Sequence, residues 1–229
     1  MKADAAMLKS EAARLWNCRY RPRQIREYLN GNEIRKLHIG AGPHGLAGWL
    51  NTDVLPAPST IAYLDIREAL TFPDGTFDYI FSEHLIEHVQ YGEGIFHLRE
   101  CYRVLRRNGR IRIATPDIEF LIRLYTGRDY TVAQKDYVRW TVENVFGKNG
   151  FSHPTFVLNN FFRAWGHQFI YDEATLGHAM RRAGFADICR FPIGHSNDPH
   201  LQGLEQHGKS ISEGFNELQT MVLEGRRDK

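Results

Sequence analysis

Apolar residues in this chain fall into short runs, separated by stretches in which they recur every three or four positions. KLHI (36 to 39), WLNTDV (49 to 54), IAYLD (61 to 65) and FDYIFS (77 to 82) have strand length, and the last follows the turn signal Pro73-Asp74-Gly75. From 93 to 106 the period becomes helical, through Ile95, Leu98, Tyr102 and Leu105. Arg106 and Arg107 suit the helix C-terminus and Gly109 is placed to stop it. RIRIAT (110 to 115) predicts strand five. Asp172 is placed to cap a helix through Arg182 closed by Gly184, and FADICRF (185 to 191) and LQTMVLE (218 to 224) predict strands six and seven.

Strands alternating with helices or long crossovers predict an α/β fold, doubly wound around a mostly parallel sheet. Ligands of such sheets sit beyond the carboxyl ends of the strands, where Gly40, Asp53, Asp65 and Ser82 fall. The chain of 229 residues, 42% hydrophobic and 24% charged, suits a single domain spanning 1–229. Residues 1–33 are expected to form a helical extension: Leu8, Leu15 and Trp16 supply a packed side, and Arg19, Arg21, Arg23 and Arg26 a solvated basic one. The aromatic-rich stretch 118–170, too long for a simple connection, predicts a helical lid inserted after strand five.

Gly40, Gly42 and Gly45 show the spacing G-x-G-x-x-G. A dinucleotide site needs a helix after the glycines, its N-terminal amides facing a pyrophosphate. Here PHGLAGW (43 to 49) leaves little more than one helical turn, and an acidic residue arrives at Asp53, well before the interval of about 20 residues that a dinucleotide fold uses. An NAD(P)-dependent oxidoreductase is therefore the disfavoured alternative. A nucleoside without phosphates fits better. Asp53 can accept both hydrogen bonds of a ribose diol, Asp65 can accept from an adenine amine, and the Ile66 amide can meet a ring nitrogen.

This ordered set, with FPDGTFDYIFSEHLIEH and ECYRVLRRNGRIRIATPD, resembles the class I S-adenosylmethionine-dependent methyltransferases. More narrowly it is similar to the methyltransferase type 11 group, in a branch whose first helix is replaced by a loop reading G-x-x-x-G-W-x-N-x-D, where this chain has Gly45-x-x-Gly48-Trp49-x-Asn51-x-Asp53. The resemblance covers roughly residues 36 to 224 and implies a Rossmann-like seven-stranded sheet of order 3-2-1-4-5-7-6, with strand seven antiparallel. It implies an enzyme of class EC 2.1.1.- that converts S-adenosyl-L-methionine to S-adenosyl-L-homocysteine. Gly40, Ala41 and Gly42 would pass the methionine part of the cofactor, Asp53 would bind ribose, and Asp65 with Ile66 would bind adenine. Ser82, Glu83 and His84 would lie by the sulfonium and the acceptor. Many members carry an acidic residue or Asn two places before the first glycine, where this chain has His38.

His84 is the candidate general base, because imidazole titrates in the useful range, and Glu87 can orient a neighbour. In the branch that the chain resembles, RAWGHQFIYD (163 to 172) and SNDPHLQGLEQH (196 to 207) look like recurrent features of the acceptor side, which nominates His167, Tyr171, Glu205 and His207. His84 and His88 stand four apart, but neither H-E-x-x-H nor a Cys/His zinc spacing occurs, so no metal is expected. The expected acceptor is a small molecule or a glycan; a net charge of +2 supplies no global field for nucleic acid, and neither that charge nor the aromatic lid selects a substrate class. Three cysteines without C-x-x-C, and no long apolar stretch, predict a cytoplasmic protein without a membrane span. A methyltransferase-like module that binds the nucleoside without turnover is the non-enzymatic alternative.

Overall fold

The computed structural model describes residues 21–55, 60–127, 130–147 and 151–228. Leu8, Leu15, Trp16, Cys18 and Arg19 of the expected N-terminal extension lie outside these residues, as do 128–129 and 148–150 of the expected lid. Residues 21–31 are helical (α1), and β1 (Lys36–Ile39), β2 (Leu50–Asp53), β3 (Ala62–Tyr63) and β4 (Phe77–Glu83) follow. After them come α2 (Tyr91–Val104) and β5 (Leu105–Pro116). Next come α3 (Ile118–Thr126), α4 (Val132–Thr141) and α5 (Pro154–Arg163), and the C-terminal part adds α6 (Glu173–Ala183), β6 (Ala186–Phe191), α7 (Gly208–Ile211), α8 (Glu213–Gln219) and β7 (Thr220–Arg226).

The seven strands form one sheet in the order β3-β2-β1-β4-β5-β7-β6. The first five in that order pair in parallel, while β7 runs antiparallel to both β5 and β6. This is the order that the resemblance implies. Leu37 and Ile39 of β1, Ile80 of β4, and Ile111 and Ile113 of β5 are buried in one core with Leu98 and Cys101 of α2 and Leu176 and Met180 of α6.

Two boundaries differ from expectation. Gly109 does not stop α2, which ends at Val104. The Arg227 guanidinium, from the last strand's exit, donates to the carbonyls of Tyr102, Arg103 and Leu105 at 2.9, 2.7 and 2.6 Å. Those are carbonyls that a helix end leaves without partners, so an arginine distant in sequence terminates the helix. Residues 106–109 instead form an excursion in β5, with Leu105 opposite Phe77 and Arg110 opposite Tyr79. The second correction is at LQTMVLE, where Leu218 and Gln219 end the helix α8 (Glu213–Gln219) and β7 begins only at Thr220. Ser212 caps α8 by accepting from the Phe215 amide. IAYLD shortens to Ala62–Tyr63.

Residues 118–163 hold α3 (Ile118–Thr126), α4 (Val132–Thr141), a π-helical turn over Val142–Phe146, and α5 (Pro154–Arg163). They build a second apolar cluster in which Phe120, Leu124, Tyr137, Val157 and Phe161 are buried. Tyr125, Phe146, Phe151, Phe162 and Trp165 remain exposed. Among the described residues no helix is long and apolar enough to cross a membrane.

The N-terminus of α6 follows the sequence pattern closely. Asp172 Oδ1 accepts from the Thr175 amide at 2.7 Å and its hydroxyl at 2.6 Å, and Gly184 closes the helix at φ 113°. Those hydrogen bonds hold the Asp172 carboxyl below its ordinary range. Its stabilisation is therefore present above the unfolded-state value and is lost as pH falls through the folded one. Asp172→Ala is expected to lower stability by about 1 kcal/mol, measured by urea denaturation at neutral pH.

Candidate functional site

At the end of β1 the chain must turn sharply without a helix to follow. Gly40 (φ 77°) and Gly42 (φ 50°) supply the left-handed backbone, and a Cβ on Gly40 would press within 3.0 Å of the Leu85 side chain. The amides of Gly40 and Ala41 both donate to the Thr52 carbonyl at 2.9 Å, which holds the loop against the end of β2. Asp53, the last residue of β2, accepts from the Gly42 amide through Oδ2 (2.9 Å) and from the Leu55 amide through Oδ1 (2.7 Å). Each oxygen keeps acceptor capacity beyond the loop contact.

Asp65 and Ile66 follow β3 beside Asp53. Arg67 grips Asp65 through Nη2 (2.6 Å) and Nε (3.0 Å), and its amide donates to Oδ1 at 2.9 Å. Gly40, Asp53, Asp65, Ile66, Leu85 and Val89 line a first cavity, predominantly apolar with the two carboxylates at its rim. Its walls suit a flat apolar ring and its rim a diol.

A second cavity shares Gly40 with the first and adds Ala41, Gly42, Glu83, His84 and His207. His38 lines it too. Burial pushes His38 down to about 4, and its Nδ1 meets Asn51 Oδ1 at 3.0 Å. The residue in the place of the family's acid is thus a neutral ring anchored to the next strand. Glu83 accepts from the amides of Gln206 (2.7 Å) and His207 (3.0 Å), which fastens the 204–207 segment to the end of β4. Burial raises the Glu83 carboxyl, against the two amides and His84, which lower it. Ser82 is buried between β1 and β5 and lines none of these cavities.

His84 has φ 46°, a left-handed backbone rarely adopted by a side chain of this size. Its Nδ1 lies 3.2 Å from Glu87 Oε1, and its Nε2 3.3 Å from the Thr220 hydroxyl. Because a carboxylate only accepts, the proton sits on Nδ1. Burial lowers the His84 imidazole, but the hydrogen bond to Glu87 and the charges of Glu87 and Glu83 outweigh it and leave the group raised. The His207 ring lies 4.0 Å away, centroid to centroid, and burial first, then the charge of His84, pushes it down to about 4.

His84 and His207 are shared with a third cavity of 390 Å³, closed by Tyr137 and Trp140 of α4 and by Asn160 and Phe161 of α5. His167 lines it, whereas two other nominated acceptor residues do not. Tyr171 is fully buried in the main core among Tyr91 and Phe169, close under Gly94. Glu205 is buried in an ion pair with Arg112 at 2.6 Å. The aromatic insertion signalled Trp140, Asn160 and Phe161 only collectively, Gln206 lay within the segment 196 to 207 without being nominated, and Ser210 carried no signal in the sequence.

Residues 37–113 match the methyltransferase domain family model. No curated protein matches the chain in sequence. Among solved structures, a SAM-dependent methyltransferase from Archaeoglobus fulgidus is 17% identical with a TM-score of 0.48, the match covering 96% of this chain and 99% of that one. An S-adenosylmethionine-dependent methyltransferase from Mesorhizobium loti is 16% identical with a TM-score of 0.48, over 85% and 91% of the two chains. Phosphoethanolamine N-methyltransferase 2 of Haemonchus contortus, in complex with S-adenosyl-L-methionine, is 14% identical with a TM-score of 0.46 over 86% of this chain; the chain spans about half (49%) of that enzyme's length. The stretch that matches the methyltransferase domain family model, residues 37–113, runs from β1 into β5 and so contains the glycine loop, Asp53, Asp65 and His84.

Proposed function

We propose that the protein transfers a methyl group from S-adenosyl-L-methionine to a small-molecule or glycan acceptor. The observation that carries this reading is that the three cavities adjoin. Gly40 borders both the first and the second, and His84 and His207 border both the second and the third. Adenosine would fill the first, with Asp53 on the ribose and Asp65 and Ile66 on the adenine. The methionine part would pass Gly40, Ala41 and Gly42, and its methyl group would point past His84 into the third cavity. The insertion 118–170, which carries α3, α4 and α5, would serve as the lid over the acceptor.

In this geometry an acceptor oxygen attacks the methyl carbon as the carbon–sulfur bond breaks. The bonding pair moves to sulfur and leaves neutral S-adenosyl-L-homocysteine. A hydroxyl acceptor passes its proton to His84 Nε2, while Glu87 holds Nδ1–H and stabilises the imidazolium. The cofactor is already activated, so the chain's main contribution is alignment and exclusion of water.

Titration calorimetry with S-adenosyl-L-homocysteine tests the pocket. Asp53→Ala and Asp65→Ala are each expected to weaken binding by about 1 to 3 kcal/mol, through the loss of hydrogen bonds to a charged group. Wild-type affinity in both variants would overturn the assignment.

A further inference from the structure

Glu87, His88 and His167 each bring one ligand atom to a common point, all three within 4.8 Å of one another. Glu87 is fully buried, and His88 and His167 are half-buried and line the third cavity. Their surroundings fix them from outside the group. His167 Nδ1 lies 2.8 Å from the Phe161 carbonyl, an acceptor only, so Nδ1 carries the proton and Nε2 presents its lone pair. The Thr115 hydroxyl donates to Glu87 Oε2 at 3.0 Å, leaving that oxygen a further lone pair. Main-chain bonds tie the two carriers together. The amides of Gln168 and Phe169 donate to the Glu87 carbonyl at 2.7 and 3.2 Å, and Gln168 Nε2 donates to the His88 carbonyl at 3.0 Å.

We propose that these three residues form a site for a divalent transition ion of borderline softness, Zn²⁺ or a neighbour in the first row. Two imidazoles and one carboxylate suit such an ion, whereas Mg²⁺ prefers an all-oxygen shell. Ligand atoms around a tetrahedral zinc stand about 3.4 Å apart, a spacing derived from bonds of about 2.1 Å. Loading therefore draws the three together by side-chain rotation. The arrangement around His167 and Glu87, each ligand held through its other polar atom, is the kind that orients metal ligands elsewhere. The ion's remaining positions face the third cavity. There Asn160 Oδ1 is buried with no hydrogen-bond partner among the described residues, an acceptor suited to a water or hydroxyl held by the ion. On the methyltransferase reading, on which this last step alone rests, the ion takes the acceptor's hydroxyl oxygen and lowers its pKa before transfer.

The test uses the full chain, stripped with a chelator and titrated by calorimetry with Zn²⁺, with Co²⁺ absorption in the visible as a second readout. Wild type is expected to bind one Zn²⁺ and to give an intense tetrahedral-type Co²⁺ spectrum, with no comparable Mg²⁺ binding. His167→Ala and Glu87→Gln are each expected to weaken Zn²⁺ at least about 100-fold and to abolish the spectrum. His178→Ala, at an exposed histidine of α6, is expected to change neither. Should Glu87→Gln fail to fold, His167→Ala carries the comparison alone. Absence of Zn²⁺ binding to folded wild type, or binding untouched by His167→Ala, would overturn the site. S-adenosyl-L-homocysteine affinity of the same stripped protein is measured in parallel, so a failed metal site and a failed cofactor pocket give separate results.

Discussion

Arg112→Ala is expected to destabilise the protein by about 3 to 5 kcal/mol, visible as a large fall in the midpoint of urea denaturation. Arg112 lies on β5 directly opposite Glu224 of β7, and its side chain is fully buried. Nε meets Glu205 and Nη1 meets Glu224, both at 2.6 Å, and Nη1 also donates to the His195 carbonyl at 2.8 Å. Glu205 Oε2 in turn accepts from the Gly194 amide at 2.9 Å. Deleting the guanidinium leaves two carboxylates in a region that water does not reach, and such an uncompensated charge costs more than the intact pair gains. Glu224→Gln separates this account from simple packing. Glu224 Oε2 has no partner among the described residues, so removing the surplus charge while keeping the shape is expected to cost less than about 1 kcal/mol.

The second large effect is on turnover. His84→Asn is expected to slow methyl transfer to a hydroxyl acceptor about 10² to 10⁴-fold, while the affinity for S-adenosyl-L-homocysteine stays within about twofold of wild type. Asn is chosen because it tolerates the left-handed backbone at this position better than Ala does, so the local fold is preserved. Single-turnover kinetics separate the two quantities. A variant with wild-type transfer and weakened cofactor binding would assign His84 to packing against the cofactor.

The sheet was legible because each strand of its parallel half is an apolar run ending in a glycine or a polar residue. Such runs need no distant partner to be recognised. Helix α2 was legible in its body but not at its end, since the group that satisfies its last carbonyls is Arg227, more than 120 positions away. LQTMVLE mixes two elements because the Ser212 cap lies outside the run, and the apolar pattern is silent about where a helical turn gives way to a strand. At the site, Gly40, Asp53 and His84 come together because strand ends converge by topology, which the sequence pattern already contains. Glu205 and Tyr171 read as polar groups available to an acceptor, yet their burial depends on Arg112 and on the packing around Gly94. The nearness of His167 to Glu87 and His88 was equally hidden, because main-chain bonds between residues some 80 positions apart create it.

The absence of a helix behind the Gly40 loop has a consequence for the end of the catalytic cycle. Among the described residues no helix stands between that loop and β2, and Asp53, Glu83 and the Arg67-paired Asp65 stand around the crevice. In the proposed reaction the cofactor enters carrying a formal positive charge and departs as an uncharged thioether. Its Coulombic hold on those side chains disappears at the moment the methyl group moves. On that proposal the spent molecule is expected to be the weaker guest, and exchange for a fresh one would need no lid to force it out.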